Sequence, residues 1–285
     1  MALWHGLCIA YSDTICVAYH HLGETMRLKK YAMSVLGAAA LLAGGQASAT
    51  SVGLELMLLV DVSGSVDSTE YNLQKQGYVQ AFQSAAVQSA IAASQLGSIA
   101  VTYIEWSGRN QQSIQVGWTL INDTASANSF AAAINSTSRA FSGNTAIQDA
   151  IGKMYTGFGT EVGGTANGFE SLRQVIDVSG DGADNDSASF VAAGGGRNAA
   201  ITAGVDAING LPILGENNLL TYYTNNVKGG NGFVMAAANF NDFGRAIEAK
   251  LVREISNVPE PSSLALVGLA LLGAGAVRRR AVKKT

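Results

Sequence analysis

The apolar residues of this chain fall into short unbroken runs, separated by stripes at helical spacing. Val52–Val62 reads Val-Gly-Leu-Glu-Leu-Met-Leu-Leu-Val-Asp-Val, nearly all apolar and ending on an acid. Strands buried on both faces have this pattern, as in parallel sheets covered by helices. Ile99–Trp106 is a second such run. In a third, Ser113–Ile121, Ile114, Val116 and Trp118 alternate with polar neighbours, as an edge strand would. Leu172–Val178 is a fourth, again leading into acids, while Leu211–Leu214 and Phe233–Ala237 are short further strands.

Between these runs the spacing turns helical. Asp67-x-x-Glu70 has the form of a capping box, with Tyr71, Tyr78, Phe82 and Ala85 following on one face. Phe130–Ile134 lies in an alanine-rich helix, and Thr145–Tyr155 places Ile147, Ile151 and Met154 together. Asn198–Ile208, Leu219–Asn225 and Asp242–Ile255 complete the set of expected helices. Strands alternating with helices predict an α/β domain, a doubly wound and mostly parallel sheet with helices on both faces.

The two ends of the chain read differently. Met26-Arg27-Leu28-Lys29-Lys30 is a basic start, Ala32–Leu42 is apolar, and Ala47-Ser48-Ala49 supplies small residues for cleavage. That order is a secretory signal peptide over residues 26–49, with residues 1–25 expected to be a mis-called start. At the other end, Pro259-Glu260-Pro261 precedes the apolar run Leu264–Val277 and the cluster Arg278-Arg279-Arg280. A run of 14 residues is short for a membrane span, at about 1.5 Å per residue. Tripeptide, short apolar helix and arginines in that order resemble a PEP-CTERM sorting signal over residues 258–285. The resemblance implies a transient inner-membrane anchor, processing by an exosortase in a Gram-negative host, and delivery to the cell surface or matrix. Residues 50–257 are then the working domain.

Charge sharpens the reading of that domain. From Thr50 to Val258 there are 10 lysines and arginines against 18 aspartates and glutamates, a net charge of −8 (10 − 18). An acidic domain disfavours nucleic acid as a partner, because phosphate neutralisation needs clustered bases. It suits cations. Cys8 and Cys16 both precede the signal peptide, as do His5, His20 and His21. The domain therefore has no disulfide, no thiolate ligand and no imidazole.

Ligands of open α/β sheets bind beyond the carboxyl ends of the strands, so those ends hold the candidate chemistry. The first strand ends in Asp61-Val62-Ser63-Gly64-Ser65, the fourth in Ser179-Gly180-Asp181-Gly182, and Gly143-Asn144-Thr145 opens a helix between them. Two carboxylates and three hydroxyls suit a hard divalent cation, Mg²⁺ first, with Mn²⁺ or Ca²⁺ as alternatives. Thr145 with Gln148 also has the spacing of a capping box. Asp184 and Asp186 read as a solvated acidic loop in preference to an accessory cation site, and Glu105-Trp106 as a pair at a loop edge in preference to a border of the site.

Asp61-x-Ser63-x-Ser65, Thr145 and Asp181-Gly182 resemble the metal-ion-dependent adhesion site of von Willebrand factor type A domains, over roughly Leu54–Ile255. The Gly-Asp-Gly-Ala-Asp-Asn run points to an uncharacterised bacterial branch. The resemblance implies that Ser63, Ser65 and Thr145 offer hydroxyls, and that Asp61 and Asp181 act directly or through water. Gly180 departs from it, standing where a threonine is common. The implied function is a binding module whose cation engages a protein or exopolysaccharide matrix component through an acidic group. A metal-dependent hydrolase is the alternative, although no catalytic constellation stands out. A dinucleotide fold lacks its Gly-x-Gly-x-x-Gly, and Asp61 would repel a pyrophosphate.

Overall fold

The computed structural model describes residues 48–187 and 195–256. The expected signal sequence up to Ala47 and the sorting tail from Val258 lie outside these residues. No helix among the described residues is long and apolar enough to cross a membrane.

The first half of the domain runs β1 (Thr50–Val52), β2 (Leu54–Asp61), α1 (Ser68–Gln83), α2 (Ala85–Ala92), β3 (Ile99–Trp106), β4 (Gln112–Ile121) and α3 (Thr124–Asn135). Then come α4 (Ile147–Met154), a 3-10 segment (Tyr155–Val162), β5 (Phe169–Ser171), β6 (Gln174–Gly180) and α5 (Gly195–Ala203). The chain continues through β7 (Ala207–Pro212), α6 (Leu219–Tyr222), a π-helical turn (Tyr223–Val227), β8 (Gly229–Gly230) and α7 (Phe240–Ser256).

Six strands form one sheet in the order β4-β3-β2-β6-β7-β8. The inner four are mutually parallel, and β4 and β8 are antiparallel edges. β1 and β5 make a separate parallel pair. Every residue of β2 is buried, which is why its sequence does not alternate. Leu54, Leu56, Leu58 and Val60 enter a core shared with Tyr78 and Phe82 of α1, Phe130 of α3 and Phe243 of α7. Met57 and Leu59 enter the opposite core, with Ile147 and Ile151 of α4 and Leu219 of α6. Helices therefore cover both faces, as the sequence predicts. Close approach of α1 to α7 depends on Gly77, where a Cβ would sit 2.6 Å from the Phe243 ring.

Several element boundaries differ from expectation, each for a local reason. The aromatic stripe of α1 does not extend through Ala85, because Ser84 turns extended and caps a new helix, accepting from Val87 N at 3.2 Å. Asn198–Ile208 is not one helix. Gly204 adopts a left-handed φ of 120° after Ala203, and the chain then enters β7. Phe233–Ala237 runs beside β7 but makes only two isolated bridges, Gly210 with Val234 and Ile213 with Ala237. The capping box of Asp67 and Glu70 forms as expected.

Candidate metal centre

β2 and β6 are neighbours, with Val60 opposite Ser179. Their carboxyl ends thus carry Asp61 and Asp181 to the same edge of the sheet. The β2–α1 loop brings Ser63 and Ser65, and the segment before α4 brings Thr145. Two loops meet here directly: Gly64 N donates to Gly143 O at 2.7 Å. Ser107 ties the second loop to β3, donating to Asn144 O at 3.0 Å and accepting from Gly143 N at 2.7 Å.

The five expected residues form one connected set. Ser63 N donates to Asp61 Oδ1 at 2.7 Å, fixing the turn after β2. The Ser63 and Ser65 hydroxyls lie 3.1 Å apart, and Ser65 Oγ donates to Asp181 Oδ1 at 2.7 Å. Thr145 Oγ1 donates to Ser63 Oγ at 3.3 Å. The capping box that the spacing of Thr145 and Gln148 would also allow does not form, since α4 has no side-chain cap at its first position. Gln148 instead donates to Asn226 O and accepts from Arg197 N. That leaves the Thr145 hydroxyl to the site.

Electrostatically the set is unbalanced. Asp61 is completely buried, and its Oδ2 receives no hydrogen bond from the described residues. Burial pushes its carboxyl up to about 7, against the opposing hydrogen bonds from Ser63. Burial also raises Asp181, helped by the negative charges of Glu70 and Glu216. No ion pair of the described residues includes either aspartate. No group of three or more histidine, cysteine, aspartate or glutamate side chains that could hold a metal lies among the described residues; the cluster here combines two carboxylates with three hydroxyls. An orphaned buried carboxylate oxygen beside an all-oxygen cluster fits a hard cation that takes neutral and charged oxygens together.

Gly180 has a reason to lack a side chain. A Cβ there would lie 2.6 Å from Asp61 Oδ2 and 2.8 Å from the Tyr223 hydroxyl. Tyr223 is fully buried, and its hydroxyl is also without a partner. It occupies space that a residue larger than glycine would need.

Other acids near the site are architectural. Asp184 accepts from Gln148 N at 2.8 Å and Ser187 Oγ at 2.6 Å, holding the start of α4. Asp186 accepts from Arg109 N at 2.8 Å. Both are half-buried, so the loop that the sequence reads as solvated keeps contact with water but is tied down by these hydrogen bonds. Glu105 and Trp106 are not a loop edge either, because both are fully buried. Glu105 accepts from Tyr71 Oη at 2.9 Å and from Ala140 N at 2.8 Å. Beside them, Arg139 donates to Val62 O and Ser63 O at 2.9 and 2.7 Å, clamping the Asp61–Ser65 turn from behind. Gln74 donates to Asp61 O at 2.7 Å. A fully buried glutamine between Tyr71 and Tyr78 was a readable signal; Arg139 and Tyr223 carried none.

Comparison with known proteins gives a family, a sorting motif and a fold. A family model described as "protein of unknown function (DUF1194)" matches residues 51–259. The chain belongs to that family. A PEP-CTERM protein-sorting motif matches residues 257–280, marking an exported, surface-sorted protein. Curated proteins give no match. Among solved structures, proximal thread matrix protein 1 of the mussel byssus shares 14% identity at a TM-score of 0.50, covering 73% of this chain and 48% of that one. The pilus adhesin SpaC of Lactobacillus rhamnosus GG shares 12% identity at a TM-score of 0.51, covering 72% and 30%. A von Willebrand factor type A protein of Catenulispora acidiphila shares 12% identity at 0.48, covering 72% and 43%. This chain spans less than half the length of the first structures it matches. The DUF1194 domain here has the von Willebrand factor type A fold: a mostly parallel sheet between two helical layers.

Proposed function

We propose that the exported chain is a binding module, not a catalyst, which holds a divalent cation and engages an acidic group on a partner. Asp61, Ser63, Ser65, Thr145 and Asp181 would hold the ion. A protein or exopolysaccharide component of the matrix would be the partner, and an exosortase would process the tail. The observation that carries this reading is the orphaned, buried Asp61 Oδ2 within a connected cluster of five oxygen-bearing side chains.

When bound, the ion supplies a Lewis-acidic centre that can take one further oxygen from outside. Asp61 and Asp181 match its charge, and the three hydroxyls add oxygens without adding charge. Ser65, Thr145 and Asp181 line an open groove of about 1120 Å³; a partner would reach exposed Ser65 and half-buried Asp181 directly, whereas Thr145 is buried. Ser63 and Asp61 stay beneath, fixed by Gln74 and Arg139. The adhesin among the solved neighbours is in keeping with a binding role.

Calorimetric titration of the exported chain with Mg²⁺, Mn²⁺ and Ca²⁺ tests this. Saturable binding is expected, with most of it lost in Asp61→Ala and in Asp181→Ala. Equal binding by wild type and Asp61→Ala would overturn the assignment. A hydrolytic activity that disappears in Asp61→Ala would favour the enzyme alternative.

A further inference from the structure

The groove over the candidate centre has one sign of charge. Asp67, Glu70, Asp181, Asp184 and Glu216 line it, and no lysine, arginine or histidine of the described residues does. None of these five belongs to an ion pair of the described residues. Glu70 Oε2 accepts from Asp67 N, and Glu216 Oε2 accepts from Ala183 N, each at 2.8 Å. Their Oε1 atoms take no hydrogen bond among the described residues. Glu70 and Glu216 also sit close enough to Asp181 for both charges to act on it.

A divalent cation would offset Asp61 and Asp181 and leave the other four acids uncompensated. A polyanion laid along this groove would satisfy the ion at one point and meet repulsion everywhere else. A lone carboxylate between cationic side chains would not. The walls add apolar surface, Leu73 and Leu214, the latter 38% exposed. Such a mixed lining suits a polypeptide better than a uniformly hydrophilic glycan.

Resting on the cation-site reading above, we infer that the partner is a protein segment bearing one acidic residue flanked by lysine or arginine. Glu70 and Glu216 select it, and polyanionic matrix polysaccharide is excluded by the same charges. Like-charge juxtaposition of this kind works as specificity by repulsion.

The experiment uses the full exported chain and three probes: blocked peptides Lys-Gly-Asp-Gly-Lys and Glu-Gly-Asp-Gly-Glu, and a polyuronate. Ion binding is first measured alone by calorimetry. At 50 mM salt with saturating Mg²⁺, the lysine-flanked peptide should bind at least tenfold tighter than the glutamate-flanked one. The ratio should shrink at 500 mM salt, where the screening length is only a few ångströms. In Glu70→Gln/Glu216→Gln it should fall to about threefold or less. Glutamine can keep both backbone hydrogen bonds, the first as part of the capping box. Ion binding with equal affinity for both peptides, or tighter binding of the polyuronate, would overturn this inference and leave the cation site standing. Absence of ion binding in wild type would overturn both.

Discussion

Asp61 and Asp177 lie on adjacent parallel strands and are both completely buried, yet their surroundings are opposite. Asp177 meets Lys250 of α7, whose Nζ is 2.6 Å from its Oδ1 and 2.6 Å from Glu254 Oε1. Asn209 donates to the same glutamate oxygen at 2.8 Å. Asp61 accepts from Ser63 N on Oδ1 and, like Asp177, has no hydrogen bond on Oδ2; what it lacks by contrast is any ion pair among the described residues. Where only architecture is at stake, the fold supplies a cation from its own helix. At the strand ends it does not. The difference is what one expects if the missing positive charge comes from outside.

The largest consequence concerns the internal cation. Lys250→Met leaves Asp177 buried and unpaired, and removing one partner of a buried pair costs about 3–5 kcal/mol. Urea unfolding of the exported chain should show that loss. Asp61→Asn in chelator should behave differently, within about 1 kcal/mol of wild type, because asparagine can still accept from Ser63 N and no cation partner is lost. If Asp61→Asn is as damaging as Lys250→Met, the two aspartates are equivalent and the contrast fails.

Added ion should give the next largest effect. A ligand that binds only the folded chain stabilises it by about 2.7 kcal/mol at a hundredfold excess over its dissociation constant. Thermal melts with and without Mg²⁺, Mn²⁺ or Ca²⁺ should show that gain in wild type and in Lys153→Ala, whose ion pair with Asp149 lies elsewhere. Asp61→Ala and Asp181→Ala should lose most of it. Ser63→Ala should lose less, because a neutral hydroxyl interacts with an ion more weakly than a carboxylate does.

The architectural cluster also has a pH signature. Burial, and behind it the charge of Asp177, raises Glu254 to about 8, with Lys250 and Asn209 opposing the rise. Arg173, Tyr78 and Phe233 complete its neighbourhood. A folded-state value above the unfolded one means that the stabilising contribution is full below about pH 4.5. It is lost as pH climbs toward 8. Glu55, raised to about 8 by burial near Glu161, acts in the same direction. Stability measured in chelator should therefore fall between pH 6 and pH 8, by about 2 kcal/mol from Glu254 alone, and Glu254→Gln should reduce the slope, with Glu55 and Asp61, both also raised by burial, keeping the remainder. A rise over that window would contradict the assignment.

How far the sequence foretold these regions depends on what each one needs. Asp61 and Asp181 were legible because each ends an apolar run at the carboxyl end of a strand, which is where open α/β sheets bind their ligands; the acids within the strands, Glu55 and Asp177, carried no such signal. The hydroxyl spacing Ser63-x-Ser65 followed from the same turn. Lys250 and Glu254 were hidden inside an amphipathic helix, where charged residues normally face water; only tertiary packing against β6 buries them. Gly204 ended a helix that alanine-rich composition seemed to continue, since one left-handed residue outweighs the propensity of its neighbours. The three-residue pair β1 and β5 was too short to show any period.

The smallest expected effect separates the regions by one atom. Tyr78 and Tyr223 are both completely buried, one near Asp177 and the other beside Asp61. Tyr78 Oη shares a 3.0 Å hydrogen bond with Ser179 Oγ, whereas Tyr223 Oη has no partner. Removing a hydroxyl that makes a hydrogen bond costs about 1 kcal/mol, while removing one that is buried and unsatisfied relieves a desolvation penalty. Tyr78→Phe should therefore destabilise the chain by about 1 kcal/mol. Tyr223→Phe in chelator should leave stability unchanged or raise it by up to about 1 kcal/mol. The same pair of variants with saturating Mg²⁺ sharpens the point. Loss of ion affinity in Tyr223→Phe alone would mean that its hydroxyl serves the ion-loaded site. A destabilisation of Tyr223→Phe equal to that of Tyr78→Phe without ion would mean that Asp61 Oδ2 is satisfied from within, removing the orphaned oxygen on which the cation reading stands.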